Sequence, residues 1–310
     1  MNTEPCPVCE GRGRYEFTAG DSVYGVSAYR ARLFRCDTCR SLFQAPMPDG
    51  ETLASFYPSG YWREHETVTP FLRLQKIYVE AMLRWDLMGW IGRLGLPPGG
   101  SVLDLGCSRG DWLALIRGRG FRVKGIEGDA RAAAYARERW DLEVDQLAVG
   151  DWKPEPEQWD AITLFHLLEH VPDPRALLEQ CRRALKPEGR LLLRIPNIAS
   201  WQFGLLKQRW KGLEIPRHLV LSPPEALVAL LKNQGFQVER LSTWSLRDGP
   251  PALASSLFPA GEPTHQQIHG RSRPLDTLVY LMLTWLLTPI EAFSALCGRG
   301  AMTTLIARKT

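Results

Sequence analysis

The sequence predicts an α/β fold: a parallel sheet covered by helices on both faces, preceded by a small cysteine-bearing module. Three observations predict it. An apolar strand, Val102-Leu103-Asp104-Leu105, ends in Gly106 and opens directly into a helical pattern, Trp112-Leu113-Ala114-Leu115-Ile116. Beyond it, strand-like apolar runs alternate with helical segments, the pattern of strand–helix–strand units. Ahead of both stand two C-x-x-C pairs, Cys6-Pro7-Val8-Cys9 and Cys36-Asp37-Thr38-Cys39.

In chain order the cysteines come first. Each pair presents two thiolates, and two such knuckles complete a tetrahedral four-thiolate site. Residues 1–45 are therefore expected to be a zinc-ribbon module with Cys6, Cys9, Cys36 and Cys39 as ligands. So short a ribbon has too little apolar surface to fold alone, so zinc must supply free energy. Two roles stay open, a structural clip or a substrate or nucleic-acid contact. No apolar signal segment precedes the pairs, which predicts a reducing, cytoplasmic location. Cys107, Cys181 and Cys297 are expected to be buried as small apolar side chains. A helical linker is expected over residues 46–98, with one or two helices from Arg63 to Gly95 stopped at Pro97-Pro98-Gly99-Gly100.

The core is expected over residues 99–247. After the glycine turn, Arg122-Val123-Lys124-Gly125-Ile126 forms a second strand ending in Glu127. Leu142 to Val149 reads as a third strand region, followed by Gly150-Asp151. Asp160 to His166 is the fourth strand, Ala176 to Leu185 a helix, and Arg190 to Asn197 the fifth strand. Pro224 to Lys232 is a further helix, and Phe236 to Trp244 the sixth strand. The strand–glycine–helix unit exposes backbone N–H groups at a helix N-terminus, and an acid such as Glu127 can accept hydrogen bonds from both ribose hydroxyls. A nucleoside cofactor is expected. A dinucleotide would need G-x-G-x-x-G, but Ser108 and Asp111 stand at the second and third positions, and Asp111 would repel a diphosphate. No G-K-[ST] follows, which excludes a P-loop. S-adenosylmethionine carries no phosphate, and Asp104 can attract its cationic part while N–H groups beyond Gly106 take its carboxylate.

Leu103-Asp104-Leu105-Gly106-Cys107, Leu168-Glu169-His170-Val171-Pro172-Asp173-Pro174 and Leu185-Lys186-Pro187-Glu188-Gly189 resemble class I S-adenosylmethionine-dependent methyltransferases. The likeness is to the branch of ubiquinone-type O-methyltransferases and other small-molecule methylases. It covers roughly residues 100–247 and a final strand near Ala301–Lys309. It implies a Rossmann-like, doubly wound sheet of seven strands, the last antiparallel. By the same resemblance Asp104, Gly106, Cys107 and Gly110 belong to the methionine-binding turn, Glu127 is the ribose acid, and Asp151 lies beside the adenine amine. The local alternatives are a turn role for Asp151 before Pro154 and a helix cap for Asp129.

Methyl transfer from a sulfonium is a direct displacement that needs alignment and often removal of one proton. His166 ends the fourth strand, with Glu169 and His170 at helical offsets from it. Members of the branch can bind a divalent metal here through acids. His166 replaces the first of these, which weakens that inference, and a turn-orienting role for Glu169-His170 is the alternative. His218, in the loop after the fifth strand, matches a histidine that family members place over the substrate pocket. Both histidines are candidate bases. Nucleobase amine methylases place Asn or Asp-Pro-Pro-Tyr at the fourth-strand exit, where this chain has Phe165-His166-Leu167-Leu168, so that chemistry is disfavoured.

Residues 248–310 are expected to hold a helical insertion and the final strand. The insertion contains an uncharged run, Thr277 to Ile290, too short to span a bilayer and interrupted at Pro289. It reads as a helix covering the core, a dimer face, or an interfacial membrane helix over residues 275–290, the last helped by Arg271, Arg273 and Arg299. Lys207, Arg209, Lys211, Arg217, Trp201 and Trp210 form a basic-aromatic cluster, either a site for an acidic acceptor or a solvated face. With 310 residues, 45% apolar, the chain can bury a large core, and its net charge of +4 does not demand nucleic acid. The sequence therefore predicts a methyltransferase acting on a small molecule, glycan or lipid-linked acceptor. The rivals are an RNA methylase that grips its substrate with the ribbon, and an inactive cofactor-binding module.

Overall fold

The computed structural model describes residues 3–57, 81–82, 85–271 and 273–310. Most of the linker helices expected between Arg63 and Gly95 lie outside the described residues; residues 85–93 are helical. The described strands are β1 (Thr3–Pro5), β2 (Arg12–Gly20), β3 (Arg30–Cys36), β4 (Leu42–Gln44), β5 (Ser101–Leu105), β6 (Arg122–Glu127), β7 (Val144–Gln146), β8 (Trp159–Phe165), β9 (Leu185–Pro196), β10 (Val220–Leu221), β11 (Phe236–Ser242) and β12 (Met302–Lys309). The chain divides into two compact units. One comprises Met1–Asp86, Pro196–Pro224 and Ser242–Thr303, the other Leu87–Ile195, Glu225–Leu241 and Thr304–Thr310.

The first unit carries an antiparallel sheet in the order β1-β2-β3-β4-β10. The alternation in Arg30-Ala31-Arg32-Leu33 turns Ala31 and Leu33 inward, as period-two patterning requires. They join Leu42, Phe203, Trp210, Leu213 and Leu221 in one apolar cluster. The ribbon's last sheet neighbour comes from far along the chain, with Leu42 opposite Leu221 and Phe43 opposite Val220.

The second unit is built on the predicted seven-stranded Rossmann-like sheet, in the order β11-β12-β9-β8-β5-β6-β7. The pairs β5–β6, β5–β8, β6–β7 and β8–β9 are parallel. Every residue of β5 is buried, as expected of a central strand covered on both faces. Helices Asp111–Arg117, Ala130–Trp140, Pro174–Ala184 and Pro224–Asn233 alternate with the strands. Asp129 caps the second of these, accepting hydrogen bonds from the N–H groups of Arg131 and Ala132, each at 2.9 Å. The expected third strand shrinks to β7, because Val149–Asp151 winds into a 3-10 turn. β9 starts earlier than expected. Trp159 pairs with Leu185 and Ala161 with Arg190, so Lys186-Pro187-Glu188-Gly189 is a bulge inside the strand, with Glu188 at φ +62°.

The C-terminal insertion forms helices Gly249–Leu257, Pro263–Ile268 and Pro274–Leu296. Pro289 does not interrupt the last of these but lies inside it; its missing N–H forfeits one helical hydrogen bond, which need not end a long helix. The helix is also inverted relative to a core-covering one. Thr277, Tyr280, Thr284, Glu291 and Ser294 are its buried residues, while Leu278, Met282, Trp285, Leu286 and Phe293 face outward. Cys297, at its C-terminal end, is exposed rather than buried; Cys107 and Cys181 are buried as expected.

Candidate functional site

The turn after β5 is held by backbone first. The Gly106 and Cys107 N–H groups both donate to the Ile126 carbonyl, at 2.8 and 3.0 Å, fastening the turn to the end of β6. Gly106 and Gly110 take φ values of +69° and +76°. At Gly110 a Cβ would lie 2.5 Å from Leu142 Cδ1 and 3.0 Å from Ala136 Cβ, so helix packing demands glycine there as well. Cys107 is buried, its sulfur filling the space beside Gly125, where a Cβ would lie 2.5 Å away. Burial, with the charges of Asp104 and Glu127, pushes its thiol well above the usual range, which keeps it neutral.

Two carboxylates stand at this edge. Asp104 is opposite Thr163 in the β5–β8 ladder, and the Thr163 hydroxyl donates to its Oδ1 at 2.6 Å. Trp112 Nε1 donates to the same hydroxyl at 3.3 Å. Burial pushes the Asp104 carboxyl up to about 7; Thr163 opposes the shift and the Glu127 charge adds to it. Glu127 closes β6. Its Oε2 accepts from the Ser108 N–H and its Oε1 from the Asp129 N–H, both at 2.8 Å. Burial raises its pKa, against these backbone donors. Asp104, Gly106, Cys107, Gly110 and Glu127 thus share the carboxyl edge of β5 and β6. Asp151 lies beyond β7, exposed, in the 3-10 turn.

His166 leaves β8 with φ +52°. Its N–H donates to the Arg194 carbonyl at 2.9 Å, and its Nδ1 lies 3.4 Å from Oε1 of the fully buried Glu169. No helix begins at His166. Glu169 and His170 belong to a short 3-10 turn, Leu168–His170, so the three residues do not share a helical face, although ligand atoms of Glu169 and His170 lie within 4.8 Å of each other.

His218 belongs to the other unit and is buried. Its Nδ1 is 2.9 Å from the Gly212 carbonyl. A carbonyl only accepts, so in the neutral ring Nδ1 carries the proton and Nε2 the basic lone pair. Buried Gln44 frames this loop: its Nε2 donates to the Pro216 and His218 carbonyls, each at 2.8 Å, and its backbone N–H to the Leu219 carbonyl at 2.9 Å. The basic-aromatic cluster expected nearby is split: Lys207 and Arg209 are exposed, Lys211 and Trp201 half-buried, and Trp210 and Arg217 buried. Trp210 has no exposure, and buried Arg217 spans Asp21, at 3.2 Å, and Glu214, at 3.2 Å. A charge needs such partners when it leaves water. Arg217 therefore serves neither as a substrate contact nor as a solvated side chain.

The four ribbon sulfurs lie within 4.8 Å of one another, with Cys6–Cys39 at 3.7 Å and Cys9–Cys36 at 3.5 Å. A tetrahedron of about 2.3 Å zinc–sulfur bonds has sulfur–sulfur edges of about 3.8 Å. The donor set fits zinc. Thr163 and Gln44 escaped the sequence reading. Thr163 left a trace, a lone hydroxyl in the apolar run Ala161-Ile162-Thr163-Leu164. Gln44 left none, because its partners are more than 170 residues away.

An open sheet with a glycine turn after its first strand and an acid closing the second defines a class of nucleoside-cofactor transferases. Residues 81–241 match the family model for a methyltransferase domain, and the chain belongs to that family. It is 36% identical over 117 residues to a ubiquinone biosynthesis O-methyltransferase of Pseudomonas savastanoi pv. phaseolicola, covering 36% of this chain and 50% of that protein. It is 28% identical over 204 residues to the protein of the same name from Xylella fastidiosa, covering 62% of this chain and 79% of the relative. The chain thus spans about half the length of the curated relatives it matches first. Among solved structures it is similar to a chain of the complex between the Haloferax volcanii Trm112 methyltransferase activator and a methyltransferase, at TM-score 0.52, 16% identity, 78% of this chain and 99% of that one. A similar likeness, at TM-score 0.51 and 16% identity over 82% of this chain and 91% of the other, joins it to a structure named as a sarcosine dimethylglycine methyltransferase from Galdieria sulphuraria. These structural likenesses show the fold.

Proposed function

We propose that the chain transfers the methyl group of S-adenosylmethionine to a hydroxyl of a small molecule, the acceptor being a metabolite, a glycan or a lipid-linked intermediate. One observation carries the reading: two buried acids, Asp104 and Glu127, lie at the carboxyl ends of adjacent parallel strands, beside a glycine turn that opens directly into helix Asp111–Arg117. Bound there, the cofactor supplies an electrophilic methyl on a sulfonium. In this reading Glu127 holds the ribose, Asp104 the cationic amino-acid end, and the N–H groups at the start of helix Asp111–Arg117 the carboxylate. Asp151 is assigned to the adenine side.

The chain's own part in the chemistry is to orient the acceptor hydroxyl and take its proton as the new carbon–oxygen bond forms and S-adenosylhomocysteine leaves. His218 is assigned the base role, its ring held by the Gly212 carbonyl at Nδ1. His166 is assigned to shaping the methyl-transfer site, its ring set by Glu169. The relatives named as ubiquinone biosynthesis O-methyltransferases support an oxygen acceptor. Zinc is proposed at Cys6, Cys9, Cys36 and Cys39 as a structural ion, and a reducing, cytoplasmic location goes with free thiolates. Calorimetry of the folded, zinc-loaded protein with S-adenosylhomocysteine tests the reading. Heat of binding is expected; its absence sinks the enzyme.

A further inference from the structure

Among the described residues, Pro274–Leu296 is the one helix long and apolar enough to cross a membrane, yet only 22% of its apolar stretch is buried. Its exposed large side chains, Leu275, Leu278, Met282, Leu286, Phe293 and Leu296 among them, recur at helical spacing along one face. Leu286 and Phe293 are each 69% exposed and Leu296 87%. A contiguous apolar strip of this kind marks an interaction surface.

The opposite face is locked to its own unit. Glu291 accepts from Gln202 Nε2 at 2.7 Å, Trp201 Nε1 at 3.3 Å and the Ala301 N–H at 2.6 Å, and Thr277 Oγ1 donates to Gln266 Oε1 at 3.3 Å. A helix fixed in this way, with a buried carboxylate on its inner side, cannot be encircled by lipid. It can only lie flat, with its outer strip immersed.

Charge identifies the occupant. Exposed Arg271 and Arg273 precede the strip and exposed Arg299 follows it. The helix's two acids are turned away or paired: Glu291 is buried, and Asp276 lies 3.6 Å from Arg273. Cations at both ends of a lipid-facing apolar strip match an anionic headgroup plane. They mismatch a second copy. Two strips docked face to face set like ends together or oppose Arg299 to Arg271 and Arg273, and either arrangement repels. We propose that the outer face of Pro274–Leu296 docks the protein in-plane on anionic bilayers.

The test is flotation of the full chain with vesicles of phosphatidylcholine alone and of phosphatidylcholine mixed with phosphatidylglycerol. Binding to the mixed vesicles, weakened by salt, is expected. Leu286→Glu with Phe293→Glu should cut partitioning at least about tenfold, since each removes an immersed apolar side chain. Arg271→Ser with Arg273→Ser should lower binding to mixed vesicles and leave the weak binding to neutral ones unchanged. Circular dichroism and cofactor calorimetry on the same variants, expected unchanged, separate this proposal from the methyltransferase reading. No flotation by folded wild-type protein overturns it. So does a stable dimer in analytical ultracentrifugation that the Glu variants dissociate while vesicles never bind.

Discussion

Burial and charge compete at the carboxyl edge of the sheet. Asp104 has lost water and gained a single hydroxyl donor, so its carboxyl sits at about 7, above the ordinary carboxylate range. The sign follows directly. The native state holds this proton where the unfolded chain has released it, so stability contributed here declines as pH rises from about 4 to about 7. Affinity for a cationic ligand should move the other way, rising as Asp104 ionises. Calorimetric titrations of the cofactor between pH 6 and pH 8 should show that rise, and Asp104→Asn should flatten it. A pH-independent affinity in the native protein would remove Asp104 from the cation's surroundings. Glu127→Ala should weaken cofactor binding about tenfold or more, through lost hydrogen bonds to the ribose and an uncapped Ser108 N–H. Unchanged affinity would place the ribose elsewhere. His218→Ala should slow turnover by about 10²–10⁴-fold while cofactor affinity stays constant, and unaltered turnover strikes it out as the base.

Elements carry constraints that single residues hide. Gly110 stands where the turn becomes a helix and where Leu142 and Ala136 press closest. Gly110→Ala should destabilise the protein by about 1–3 kcal/mol through left-handed strain and overpacking, seen as a lower denaturation midpoint. An unchanged midpoint would mean that the backbone relaxes freely there. Most of the sheet was legible in sequence because its strands are continuous apolar runs closed by punctuation: Glu127 ends β6 where the pattern put it. The early start of β9 was not, because Lys186-Pro187-Glu188-Gly189 has helix-stop chemistry and only pairing across the sheet reveals a bulge. Arg217 and Trp210 misled for a related reason. A basic, aromatic segment looks like surface until Asp21, brought in from far along the chain, joins neighbouring Glu214 beside Arg217. The inverted helix Pro274–Leu296 lay equally hidden, since its composition shows apolarity but not which face meets solvent.

At the scale of the whole molecule, charge is mild: a net +4 over 310 residues, with basic groups such as Arg217 consumed internally. Nucleic-acid binding through phosphates needs several free cations and declines steeply with salt. Gel-shift assays with structured RNA should therefore show no complex at physiological ionic strength, and a salt-sensitive shift would revive an RNA acceptor.

Gln44 links two things that the chain order keeps apart. It sits on β4, beside the second cysteine pair, and its amide and backbone fix the segment from Pro216 to Leu219. With zinc proposed at the ribbon, starvation for the ion becomes a kinetic lesion as well as a folding one. Chelated protein should still take up its nucleoside with near-normal heat, yet its imidazole Nδ1–H resonance should broaden as the bond to Gly212 loosens. Metal supply would then act as a throttle on turnover, set some forty residues into the chain and felt at a histidine beyond position two hundred.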